Sequence, residues 1–270
     1  MKLNYVKISP AQNMTILITD YVDPKDYKKV SKSVMSYDSL NAEQVGFIVK
    51  PTHQLSNIRI EMAGGEFCGN ALLSAAAYGT YKGICPIGSF YMDSSGVESS
   101  LWCETKSVSP IRYVVTGEMP DPVGIEKFSI SGSFGSLEGS LVDLNGISHF
   151  VADCELELHL YDELLSELID ITSSEAIGII PYRQYATDKF EIKPFVYVRD
   201  SGSKVFERAC GSGSYSLGAH LSMNHRDRKI EVYQPGGVIN VGVGSRNFIS
   251  AEVVITSEGV VYIDDTGRLD

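Results

Sequence analysis

The sequence predicts a β-rich α+β protein of two domains, with one central helix of small residues in each half. Three observations carry this. At 270 residues, with 43% hydrophobic and 21% charged residues, the composition is globular and the length has room for two cores. A Cys-Gly-(Asn/Ser) triplet occurs twice, at Cys68-Gly69-Asn70 and Cys210-Gly211-Ser212, about half a chain apart, and each opens a run of small and apolar residues. Between them lies Thr116-Gly117-Glu118-Met119-Pro120-Asp121-Pro122-Val123-Gly124, rich in proline and glycine and suited to a linker. The expected domains are therefore residues 1–118 and 119–258.

Taken in order, strand character runs over 6–19, strongest at Met14-Thr15-Ile16-Leu17-Ile18-Thr19, and a helix is predicted over 24–36. Short strands are predicted at 45–49 and 58–62, flanked by turn residues. A Gly64-Gly65 turn leads to the first Cys helix, over 71–77, and strands fill 88–116. After the linker the grammar repeats: strands within 128–151, a helix over 157–168, strands at 177–180 and 195–198, and the second Cys helix over 214–221. Strands at 229–243 and 250–263 close the chain, with Gln234-Pro235-Gly236-Gly237 as a tight turn.

Composition excludes several functions. The net charge of −11 argues against nucleic acid, which needs a basic surface. No apolar run is long enough to span a bilayer, and Met1-Lys2-Leu3-Asn4-Tyr5 lacks the apolar core of a signal peptide, so a cytoplasmic protein without a membrane partner is expected. The five cysteines form no Cys-x-x-Cys pair and the five histidines show no ligand spacing, so no metal site is expected. Cys85, Cys103 and Cys154 read as small buried hydrophobes.

Cys68 and Cys210 read differently. A thiol at a helix N-terminus has a lowered pKa and can act as a base, while a partner thiol acts as the acid. The backbone N–H groups that follow, at Gly69 and Asn70 and at Gly211 and Ser212, form a cradle for a substrate carboxylate. Two such devices facing one substrate suit proton exchange at the α-carbon of an amino acid, the chemistry of a racemase or epimerase without a cofactor. No lysine stands in a context that would suit pyridoxal phosphate.

With these motifs, Glu66-Phe67-Cys68-Gly69-Asn70-Ala71 and Ala209-Cys210-Gly211-Ser212-Gly213, the chain resembles the diaminopimelate epimerase family of two-cysteine racemases and epimerases. Asn13 falls where that family places a substrate-binding Asn, and His149 where it has a Pro-His pair, with Ser148 replacing the proline. The resemblance implies two similar domains, each a β-sheet or barrel wrapped around a central helix, with the site in the interdomain cleft. It also implies that the C-terminal strand, about 259–270, completes the first domain, and that a homodimer is a reasonable assembly. Asn13-Met14-Thr15-Ile16-Leu17, Glu43-Gln44-Val45-Gly46-Phe47 and Gln234-Pro235-Gly236-Gly237 extend the likeness to the histidine racemase branch. There the substrate is an amino acid with an imidazole, for which Glu43, Glu66 and Glu207 are candidate acceptors and Glu43 the favoured one. In diaminopimelate epimerases a Glu-Arg pair lies several residues before the second Cys, whereas Glu207-Arg208 here stands almost against it, which disfavours diaminopimelate as substrate. A phenazine-biosynthesis-type isomerase would carry a carboxylate in place of Cys68, and a binding module with degenerate sites would not keep both thiols.

Overall fold

The computed structural model describes residues 1–223 and 227–264; His225 and the last six residues of the expected C-terminal strand lie outside them. Two compact units divide the chain, one of Met1–Gly117 with the strand from Ala251 onward, the other Glu118–Ser250. Both are mixed α+β, rich in strands and poor in helices.

In the first unit, the strand character expected over 6–19 is divided between β1 (Lys2–Pro10) and β2 (Thr15–Ile18). The chain reverses between them through Ala11 and Gln12, both at positive φ (47° and 63°), and Asn13 N–H closes the turn on Pro10 O at 2.9 Å. Neither Ala nor Gln signals such a turn, because L-residues with a Cβ rarely adopt this region. The expected first helix is a short 3-10 turn, Pro24–Asp26, running into α1 (Tyr27–Met35), whose Tyr27 stacks on Phe47 at 3.7 Å. Next come β3 (Gln44–Val49), β4 (Ser56–Met62), α2 (Gly69–Tyr81), β5 (Gly88–Ser94), β6 (Leu101–Ser109) and β7 (Arg112–Glu118).

Every residue of α2 from Gly69 to Thr80 is buried. A helix apolar all round must be enclosed, and its alanines and glycine let strands approach from every side. Cys85 is part of that packing, since a Cβ on Gly79 would lie 2.5 Å from its sulfur. Burial raises the Cys85 thiol to about 12, so it is an inert core group.

In the second unit, β8 (Gly124–Gly132), β9 (Gly135–Asp143) and β10 (Ile147–Asp153) form a meander. A 3-10 turn and α3 (Tyr161–Ile171) follow, then β11 (Ala176–Ala186), which pairs parallel to β10. The strands β12 (Lys189–Ile192) and β14 (Ser203–Phe206), four residues each, were not expected, and β13 (Phe195–Val198) was. The second central helix, α4 (Gly211–Leu221), is followed by the hairpin of β15 (Arg228–Gln234) and β16 (Gly237–Val243).

The last strand, β17 (Phe248–Tyr262), is continuous but serves both units. Its start pairs with β16. From Ala251 it belongs to the first unit, where it pairs antiparallel with β1 and also with β7. This return begins earlier than the expected 259. In the first unit the ladder runs β1-β2-β3-β4-β5-β6-β7-β17 and back to β1, so the strands close into an eight-membered ring. Closure removes the sheet edges and encloses α2.

Candidate active site

Each unit places one thiol at the start of its buried helix. Cys68 is the N-cap of α2, in extended conformation (φ −133°, ψ 115°). Its thiol donates to Gln44 Oε1 at 2.8 Å. The Gln44 Nε2 group donates to Asn13 Oδ1 at 2.9 Å and to Thr15 Oγ1 at 2.7 Å. The parallel register of β2 and β3 sets Thr15 opposite Gln44, and Asn13, at the end of the turn before β2, reaches the same side chain. Asn13 is buried beside that turn of positive φ, and Gly69 and Asn70 are buried at the helix start.

The approach to Cys68 is held from behind. Ser95 Oγ donates to Glu66 O and accepts from Met62 N–H. Gly96, at φ +73°, lies against the Phe67 backbone, where a Cβ would come within 2.3 Å of Phe67 N. Just before Gly96, β5 carries Asp93, a fully buried carboxylate. Burial would raise its pKa, but hydrogen bonds from Ser56 and from the His53 and Thr52 amides hold it far below the carboxylate range.

In the second unit Cys210 is the N-cap of α4 (φ −116°, ψ 111°) and is 3% exposed. Its sulfur accepts from Gly213 N–H at 3.3 Å and lies 3.5 Å from Ser212 Oγ. Ser212 Oγ is in turn 2.9 Å from His149 Nε2. Burial first, then the charge of Glu207 and a hydrogen bond to its carboxylate, push the Cys210 thiol well up; Ser212 and Gly213 pull the other way. Glu207 thus stands against the thiol, three residues away in sequence.

His149 is completely buried, and burial lowers it to about 3, so its ring is neutral at physiological pH. Its Nδ1 has no hydrogen-bond partner among the described residues. The ring fits because its partner across the β10–β11 ladder is Gly178, where a Cβ would lie 1.9 Å from Nδ1. Ser148, on the opposite face, bonds Thr172 and Ser174 beyond α3.

The structure therefore gathers Asn13, Cys68, Gly69 and Asn70 in one unit, and His149, Glu207, Cys210, Gly211 and Ser212 in the other. Glu43 is exposed, and its neighbour Gln44 makes the contact with the Cys68 thiol. Glu66 meets the site through its backbone. Two residues escaped sequence reasoning, Gln44 and Gln234, whose Oε1 accepts the Cys210 amide at 2.7 Å. Both lie in segments the histidine racemase likeness had marked, and their polar side chains inside strand-forming runs were the available signal. Among the described residues, no cluster of three or more His, Cys, Asp or Glu could hold a metal ion, and no helix is long and apolar enough to cross a membrane.

The fold is shared with a probable proline racemase from Agrobacterium radiobacter K84 with bound carbonate, at a TM-score of 0.71 and 10% identity over 98% of this chain and 94% of that one. It is also shared with a PhzF-family phenazine biosynthesis protein from Bacillus anthracis, at a TM-score of 0.68 and 11% identity over 97% of this chain and all of the other. These likenesses concern the fold alone and are not specific to diaminopimelate epimerases. In sequence the chain is 30% identical over 267 residues to a histidine racemase of Fusobacterium nucleatum, covering 97% of both chains. It is 24% identical to a histidine racemase of Staphylococcus aureus, over 97% of this chain and 98% of the relative. The model of the histidine racemase CntK N-terminal domain matches residues 2–269. The chain belongs to the histidine racemase family and is an isomerase of the racemase class.

Proposed function

We infer that this enzyme interconverts L- and D-histidine without a cofactor, by two-base proton transfer between Cys68 and Cys210. The observation that carries the reading is the matched placement of the two thiols: each is the extended N-cap residue of a buried helix whose first residues are small. Full-length similarity to histidine racemases supports the choice of substrate.

In one direction a thiolate removes the α-proton and the opposite thiol delivers its own proton to the other face of the same carbon. The reverse direction exchanges their roles, so no net proton is gained or lost. The carbanion places charge on the α-carboxylate, and helix-start amides are the groups suited to hold it. Around Cys210 the Gly213 amide serves the sulfur, and Gly211 and Ser212 are the first two residues of α4. These two, with Gly69 and Asn70, are proposed to bind the carboxylate, and Asn13 the ammonium side of the substrate. Glu207, hydrogen-bonded to Cys210, is proposed to receive its proton in the direction where Cys210 acts as the thiolate. Glu43 remains the proposed acceptor for the imidazole.

The test is incubation with L-histidine in D2O without added cofactor, following α-deuterium and chirality together. The expected product is D-histidine carrying α-deuterium, absent for C68S and C210S. No exchange at the histidine α-carbon by folded, reduced enzyme discards the substrate. Parallel assays with LL-diaminopimelate and other amino acids then decide whether the two-thiol chemistry stands.

A further inference from the structure

We infer that Gln234 is the positioning residue of Cys210 and decides which amides of the helix start face the substrate. The inference rests on the two-thiol reading of the site. Gln234 is the last residue of β15, pairs with Gly237 across a two-residue turn, and is 9% exposed. Its Oε1 accepts the Cys210 N–H at 2.7 Å, and its Nε2 donates to Ser214 Oγ at 2.9 Å. Ser214 Oγ donates onward to the Cys210 carbonyl at 2.7 Å. The circuit is directional. An acceptor is needed for the Cys210 amide and a donor for Ser214, whose own hydrogen is already committed. A side-chain amide supplies both; a carboxylate lacks the donor and leucine lacks both.

The rest of the turn grips the preceding residues. Gly236 N–H donates to Arg208 O at 2.7 Å, and the Arg208 guanidinium donates to Pro235 O at 3.4 Å. The hairpin thus fixes the chain from Arg208 to Cys210 at both backbone and side-chain level, holding the thiol in its extended N-cap conformation. By taking the Cys210 N–H, Gln234 removes it from the anion cradle. With the Gly213 N–H directed at the sulfur, the carboxylate is left to Gly211 and Ser212. Misplacing a reacting group by a fraction of an ångström costs turnover more than binding.

The test compares Q234L and Q234E with the native enzyme. Readouts are histidine turnover, and the pH dependence of alkylation of Cys210 and Cys68 resolved by peptide mass spectrometry. Q234L is expected to lower kcat about 10- to 100-fold with KM changed less than about threefold, and to shift Cys210 alkylation relative to Cys68. Q234E keeps the acceptor and is expected to recover kcat to within about fivefold, while its charge moves the Cys210 alkylation midpoint, and not that of Cys68, to higher pH. A Q234L enzyme of lower thermal stability but native kcat and native alkylation ratio overturns the inference, as does a Q234E enzyme whose Cys210 midpoint is unmoved. The second criterion holds even where Q234L does not fold. Alkylation does not depend on the substrate, so an idle native enzyme refutes the histidine reading and leaves this one to be decided.

Discussion

Gln44 Oε1 accepts a hydrogen bond from the Cys68 thiol at 2.8 Å, and the side chain cannot offer its amide protons instead, because Asn13 Oδ1 and Thr15 Oγ1 accept them. A thiolate at Cys68 would face a carbonyl oxygen at hydrogen-bond distance. Cys210, by contrast, has an N–H donor at its sulfur and a carboxylate to accept its proton. The two thiols share a position in the fold but not an electrostatic setting.

The first prediction follows from that lock. Gln44→Glu places a negative charge where a neutral oxygen now accepts the thiol. The Cys68 alkylation midpoint should move to higher pH by about one unit or more, and kcat should fall while Cys210 titrates as before. A Cys68 midpoint equal to the native one would show that Gln44 does not set the state of this thiol.

Glu207→Gln should act with the opposite sign at the other thiol. The carboxylate's charge and hydrogen bond raise Cys210, so a neutral amide should bring its alkylation midpoint down. Turnover should nevertheless fall, by about 10- to 100-fold, because the proton acceptor is lost. Rapid alkylation together with native kcat would remove Glu207 from the mechanism.

These residues also mark how far the sequence could be read. The Cys68 and Cys210 motifs were legible because thiol, glycine and helix start are contiguous, and so was a small-residue helix in each half. Gln44 was not legible as a contact of Cys68, because the contact depends on the β2–β3 register, which pairs Thr15 with Gln44 across 29 residues. A one-residue slip would have presented Glu43 instead, the residue that the sequence offers as an acceptor for an imidazole. Gln234 was hidden for a like reason, reaching Cys210 across 24 residues from the far end of β15, beyond α4. In the sequence Glu207 reads as an acceptor for an imidazole; that the chain from β14 into α4 turns its carboxylate onto the thiol is a matter of backbone path. The strands β12 and β14 do not show in the sequence because Lys189-Phe190-Glu191-Ile192 and Ser203-Lys204-Val205-Phe206 mix charged and apolar residues, whereas Phe195-Val196-Tyr197-Val198 in β13 is strand-forming throughout.

His149 predicts a pH dependence of stability. Its folded-state pKa is lowered to about 3 from an ordinary 6.5. Between those values the unfolded chain binds a proton that the folded one does not, so this group makes stability fall as pH falls. Above about pH 7 it contributes nothing to the slope. In urea titrations the native enzyme should lose several kcal/mol between pH 6.5 and 4. His149→Gln should start less stable at pH 7 but lose less over that window, so the two stability curves should converge. Parallel curves would mean that the ring is protonated in the folded state.

Asp93 offers a test of how the fold holds the catalytic loop. Its carboxylate accepts from the Thr52 and His53 amides at 2.7 and 3.0 Å, from Ser100 Oγ at 3.1 Å, and from Ser56 Oγ and the His53 ring. It is 1% exposed, and three residues on stands Gly96, whose contact with Phe67 sets the approach to Cys68. Asp93→Asn exchanges one acceptor oxygen for a donor among groups that are themselves donors. Leaving buried donors unmet costs about 1–3 kcal/mol each, more where a charge was the partner. We expect a loss of about 2–4 kcal/mol in stability. In the folded enzyme the Cys68 alkylation rate should change while that of Cys210 does not, because the disturbance lies within the first unit. The depressed pKa adds a second signature. The native Asp93 contributes stability above the ordinary carboxylate range and loses it as pH falls through its own lowered value, so the native advantage over Asp93→Asn should shrink only below about pH 4. A variant that matches native stability at pH 7 would show that this network is dispensable to the loop.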